Sequence, residues 1–205
     1  MSLGQNEDEK HGIERWNTRP RPQYQHIRVT PLSPGLGAEV DGLDLGCALD
    51  AAQIAELRTA IADNLVLVFR DQAIDSAAHK QFARCFGPLH RHKLASDQSQ
   101  TERSQDPEVL AWKTGPQSRF TAGEAWHSDV SCDAQPIWGS FLRVTRNPAQ
   151  GGGDTAFANM HLAYETLSEP LKGFLRTLTA VHDGAHAWTR GYGAQPQPGQ
   201  SFPKT

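Results

Sequence analysis

Trp126-His127-Ser128-Asp129, followed by Gly152-Gly153-Asp154-Thr155, carries residue types able to grip a cation and then an anion. An imidazole and a carboxylate two positions apart on a strand share one face, because side chains alternate with period two, and neighbours on a face lie close enough to hold one ion. Non-heme Fe(II) takes two histidines and one carboxylate on one octahedral face. His127 and Asp129 would be two of those ligands, with a second histidine from a distant strand as the third; no histidine follows His186 in the 205 residues. After two glycines a tight turn can present the Thr155 hydroxyl and backbone amides to a carboxylate, although a threonine opening a strand is the plainer alternative. With nine histidines in the chain, a lone His-x-Asp is about what chance supplies. Its specificity has to come from what surrounds it.

The elements that must position these residues can be read along the chain. Residues 1–24 are polar and broken by Pro20 and Pro22, so a disordered or loosely attached arm is expected there. From residue 25 to 205 one partial domain is expected, starting with a strand at His26–Thr30 that pairs with Ala38–Val40. Asp50 is placed to cap a helix burying Ile54, Leu57 and Ile61. Leu65–Phe69 is apolar throughout and reads as a strand in the middle of a sheet covered on both faces. Asp75 caps a second helix that Gly87-Pro88 ends. Residues 91–107 read as a polar loop, and Glu108–Trp112, Trp138–Thr145 and Thr177–Val181 as strands. Asn159 and Ser168 are expected helix caps. Short strands, interspersed helices and Gly-rich turns together suggest an α+β fold built on a double-sheet barrel.

The order of the blocks is distinctive: Asn64 to Gln72, then Phe82-Ala83-Arg84-Cys85-Phe86-Gly87, Leu89-His90-Arg91-His92, the His-x-Asp pair, the Gly-Gly-Asp-Thr turn, Phe157-Ala158-Asn159-Met160 and Ala163 to Leu167. From about Arg28 to Trp188 it resembles the taurine dioxygenase (TauD/TfdA-like) family of Fe(II)/2-oxoglutarate-dependent oxygenases. The resemblance implies a double-stranded β-helix, or jelly roll, with flanking helices, incomplete at the C-terminus. It implies Fe(II) on His127 and Asp129, 2-oxoglutarate and O2 as co-substrates, and Thr155 on the distal carboxylate of 2-oxoglutarate. His92 matches a substrate-contacting position of sulfonate-cleaving relatives, a solvated loop histidine being the alternative, and Trp188 is a candidate for the pocket wall, with a core or lid tryptophan the more ordinary reading. Ala95 and Gly123 depart from the polar groups those relatives present, which argues against taurine itself. The family's second histidine and co-substrate arginine lie further on than residue 205, and Arg190 is not in the matching position.

The expected function is hydroxylation of a small organic substrate, a sulfonate, sulfate ester or aryloxyacid, with release of succinate and CO2. The 205 residues alone are expected to be inactive, and absent closing strands should leave apolar surface exposed. Two rivals share the residues: a non-catalytic jelly-roll binding module with a degenerate metal site, and a zinc hydrolase using His127 and Asp129. His182 and His186 lack the glutamate of a zincin pair, since Asp183 follows His182. A net charge of −3 gives no basic excess for nucleic acid. Cys47, Cys85 and Cys132 are too few and too scattered for a disulfide framework or thiolate zinc site. A polar N-terminus and the lack of a long apolar run point to the cytoplasm rather than a membrane, with self-association left open.

Overall fold

The computed structural model describes residues 7–91, 106, 108–111, 113, 115, 125–185, 189 and 201–205. The chain divides into two compact units, Met1–Gly87 with Val144–Leu178 and Pro88–Arg143 with Thr179–Thr205. In the first unit, β1 (Arg28–Pro31) runs antiparallel to β2 (Ala38–Asp41), with Val29 opposite Val40. β2 then pairs in parallel with β3 (Leu67–Val68), giving an open three-stranded sheet in the order β1-β2-β3. β2 alternates buried and half-buried positions, with Ala38 and Val40 turned into the core, as a strand covered on one face does. Among the described residues the strands do not close into a barrel, and Trp138–Thr145, Glu108–Ala111 and Thr177–Val181 form no ladder. Those three expected strands are therefore not found there; Trp112 lies outside the described residues.

The crossover from β2 to β3 runs through α2 (Ala51–Asn64), whose start is as expected. The Asp50 carboxylate accepts from the Gln53 amide at 2.8 Å while the Gln53 side chain accepts from the Asp50 amide at 3.0 Å, a reciprocal capping box that satisfies two orphan donors. The buried stripe is Leu57, Ala60 and Asn64, with Ile54 and Ile61 half-buried on its flanks. β3 corrects the expectation of a five-residue central strand. Leu65 takes a left-handed conformation, φ 67°, to end α2, its amide donating to the Ile61 carbonyl at 2.7 Å. Only Leu67 and Val68 remain to pair, and among the described residues they pair on one side. α3 (Ser76–Arg84), capped by Asp75, buries Phe82 in edge-to-face contact with Phe69 and Phe86, at ring separations of 5.6 and 5.4 Å.

Residues 7–24, within the stretch expected to be a loose arm, form a helix and an anchored exit. α1 (Glu7–Thr18) packs against α4 (Met160–Glu165), and its exit is fastened at several points. The Trp16 indole donates to the Pro34 carbonyl at 2.9 Å; Arg19 stacks on the Trp16 ring at 3.7 Å and, with Arg21, forks onto Asp63. The Glu56 carboxylate accepts the amides of Gln25, His26 and Ile27 at 2.7, 2.9 and 3.1 Å, directing the chain into β1. Composition alone misses such anchoring because every partner is distant in sequence.

Gly12 sits where α1 crosses α4. A Cβ there would lie 2.8 Å from the Glu165 carbonyl oxygen and 3.2 Å from Thr166 Cα. Glycine to alanine in a helix interior ordinarily stabilises by about 1 kcal/mol. Here the contact is with backbone, so Gly12→Ala is expected to destabilise by about 1–3 kcal/mol, as overpacking does. It should also speed proteolysis within residues 7–18; an unchanged or slower cleavage rate would contradict the packing.

Asn159 caps α4 through the Leu162 amide at 2.9 Å and donates to the Gly35 carbonyl at 2.6 Å, tying α4 to the β1–β2 connection. α5 (Glu169–Leu175) follows Ser168 and folds the nearly buried Lys172 ammonium onto the Glu165 carbonyl and Glu169 carboxylate, at 3.0 and 3.1 Å. Large apolar side chains stand exposed in both units, among them Trp126, Trp138, Leu142 and Met160. The three cysteines are free thiols.

Candidate metal and anion site

His127 and Asp129 come together, though not as a strand would bring them. Residues 126–128 are irregular and 129–132 form a turn. Val130 has φ 53°, an uncommon conformation for a β-branched residue and one that holds local strain. The turn closes with the Asp133 amide donating to the Val130 carbonyl at 3.1 Å. The imidazole and the Asp129 carboxylate thus meet in an irregular segment entering a turn, not on the pleat of a strand.

The contacts around the imidazole fix its chemistry. His127 Nδ1 lies 2.7 Å from the Ala125 carbonyl oxygen; a carbonyl only accepts, so Nδ1 carries a proton and donates it. His127 Nε2 then faces Asp129 Oδ1 at 3.1 Å. A neutral imidazole so oriented points a lone pair at a carboxylate oxygen, and two lone pairs at that separation repel. The arrangement calls for a positive charge between them, either a second proton on the ring or a shared metal ion. Two donors about 2.1 Å from one ion in adjacent octahedral positions are about 3.0 Å apart, so the separation of the pair matches that of two ligands on one metal. The side chains remain 53% and 49% exposed, open to incoming ligands. Among the described residues no third His, Cys, Asp or Glu joins them.

One contributor escaped the sequence reading. The Ser140 hydroxyl donates to Asp129 Oδ2 at 2.5 Å, within the range of a charge-assisted O–H···O⁻ bond. The available signal was parity: Trp138, Ser140, Leu142 and Val144 share one phase of a period-two pattern, and Ser140 is its only polar member. The same unit is drawn together by backbone bonds between His182 and Thr205, at 2.8 and 3.0 Å, and by the Thr205 hydroxyl donating to the Cys132 carbonyl at 2.7 Å.

Thr155 belongs to the first unit and is exposed. Gly151, Gly152 and Gly153 before it have φ of 83°, 91° and 75°, three successive left-handed residues that only glycine adopts at little cost. His92 and Trp188, the expected substrate contacts, lie outside the described residues, as do Ala95, Gly123, His186 and Arg190. Among the described residues no helix is long and apolar enough to cross a membrane.

Comparison with known proteins sets these residues in context. The taurine catabolism dioxygenase TauD, TfdA family matches residues 28–203, a range that includes His127, Asp129, Ser140 and Thr155. An alpha-ketoglutarate-dependent sulfonate dioxygenase of Saccharomyces cerevisiae is 35% identical over 165 residues, covering 76% of this chain and 39% of the yeast protein. An alpha-ketoglutarate-dependent sulfate ester dioxygenase of Pseudomonas putida is 32% identical over 167 residues, 80% of this chain and 52% of that protein. The crystal structure of a taurine dioxygenase from Burkholderia xenovorans superposes with a TM-score of 0.66 at 36% identity, covering 78% of this chain and 54% of that one. The chain thus spans about half the length of the relatives it matches. With nearly all of its length after the N-terminal helix matched, it belongs to the TauD/TfdA family of dioxygenases.

Proposed function

We propose that this chain supplies two of the three Fe(II) ligands and part of the 2-oxoglutarate site of a dioxygenase that hydroxylates a small organic anion, a sulfonate or sulfate ester, releasing succinate and CO2. The observation that carries the reading is the facing of His127 Nε2 and Asp129 Oδ1 at 3.1 Å with Nδ1 already committed to the Ala125 carbonyl. A hydrogen bond from the far ring nitrogen fixes the tautomer and aims the other nitrogen, which is what a metal-binding imidazole requires. The names of the relatives support the co-substrate, since both curated relatives are alpha-ketoglutarate-dependent. The open sheet is taken as part of the family's jelly roll, and the described residues would supply two of the metal's ligands.

Bound Fe(II) would supply the oxidising chemistry by activating O2 together with 2-oxoglutarate. The part of this chain is binding and orientation. His127 and Asp129 would hold the ion through two donors, leaving other coordination positions for the co-substrate and O2. The Thr155 hydroxyl, which follows the three-glycine turn, would be a donor for a carboxylate of the co-substrate. Exposure of the pair on one side gives the substrate anion an approach.

The test has two arms. A polypeptide extended through the length that the relatives possess should form succinate in an oxygen-dependent way. These 205 residues alone should bind Fe(II) weakly and form no appreciable succinate. Thr155→Val in the extended polypeptide should raise the 2-oxoglutarate concentration needed for half-saturation about 10-fold, the cost of one hydrogen bond to a charged group. Bound iron without succinate would favour a non-catalytic binding module, and succinate at full rate from the 205 residues would overturn the two-ligand reading.

A further inference from the structure

We propose that Ser140 is a positioning residue for the metal carboxylate, restricting Asp129 to one-oxygen coordination. The proposal rests on the metal reading above and assigns a role that the two ligands do not by themselves imply. Ser140 Oγ donates to Asp129 Oδ2 at 2.5 Å, while Oδ1 faces His127 Nε2 at 3.1 Å. The two oxygens of one carboxylate are thereby given different work. With Oδ2 engaged by a hydroxyl, only Oδ1 is turned to the ion, and the carboxylate takes up one coordination position rather than two.

An exposed serine would ordinarily be satisfied by water, and bonds between side chains are the minority class in folded proteins. Ser140 instead reaches a carboxylate eleven residues earlier, joining the segment around it to the ligand turn. The Ser140 bond gives the Asp129 carboxylate a second point of attachment, opposing rotation about its χ angles. The Ala125 carbonyl performs the matching service for the imidazole at 2.7 Å. Each ligand therefore has one supporting partner, on the side away from the ion.

Co(II) titration of the chain, followed by competition with a chelating dye and by the visible ligand-field bands, separates the possibilities. Ser140→Ala should weaken Co(II) binding about 10–100-fold, the usual cost of losing an outer hydrogen bond to a ligand. It should also change the visible ligand-field bands, as the freed carboxylate binds through both oxygens and displaces a water from the ion. Ser140→Thr, which keeps the hydroxyl, should restore both the affinity and the spectrum. Unfolding of the metal-free Ser140→Ala protein should match that of the parent chain. Unchanged affinity and bands in Ser140→Ala would overturn the proposal, as would a Ser140→Thr protein as impaired as the alanine variant. Failure of the parent chain to bind Co(II) saturably, or binding that persists unaltered in His127→Ala, would instead overturn the metal reading itself.

Discussion

His127→Ala is expected to weaken Co(II) or Fe(II) binding by on the order of 100-fold or more, a larger loss than that of an outer hydrogen-bond partner. Asp129→Asn should do the same. The expectation follows from how little else is available, since among the described residues no third His, Cys, Asp or Glu stands near the pair. Among the described residues, removing either group leaves a single donor. The alternative is that Nε2 is protonated and the 3.1 Å contact is an ion pair. Exposed pairs of that kind stabilise by about 0–1 kcal/mol. Under that alternative both substitutions would leave metal affinity at the background level of the parent chain. Isothermal titration of the parent and the two variants distinguishes the cases, with the metal reading requiring a saturable parent isotherm that both changes remove.

Leu57→Ala is expected to destabilise the first unit by about 3 kcal/mol, the middle of the range for deleting a fully buried leucine side chain. Leu57 is 0% exposed and is the largest fully buried side chain among the described residues. Its neighbours on the same helical stripe, Ala60 and Asn64, are also buried but small or hydrogen-bonded; the Asn64 side chain donates to the Ala60 carbonyl at 2.9 Å. Neither can refill the space. Chemical denaturation followed by circular dichroism should show the midpoint falling with little change in slope, and a loss below about 1 kcal/mol would mean that the site collapses or that Leu57 is less central than its burial implies.

What the sequence made legible was chemistry local to a few residues. Asp50, Asp75 and Asn159 were recognisable as caps because a short polar side chain ahead of an apolar period has one obvious use, and each does accept an amide three residues on. β1 and β2 were legible from alternation over a short turn. The helix at Glu7–Thr18 was not, because its anchors are Pro34, Asp63 and Glu165, far along the chain. β3 was overestimated since hydrophobicity does not reveal that Leu65 is spent on a left-handed helix end. The pairing of His127 with Asp129 was anticipated for a strand and is found in an irregular segment entering a turn. The spacing allows either geometry, and only the backbone conformation distinguishes them.

The most direct test of the metal reading is X-ray diffraction at the absorption edge of the chain loaded with Co(II). The account predicts a single ion within about 2.2 Å of both His127 Nε2 and Asp129 Oδ1, with Asp129 Oδ2 still accepting from Ser140. An ion bound elsewhere, or an imidazole and carboxylate still joined directly with no metal between them at saturating Co(II), would contradict it.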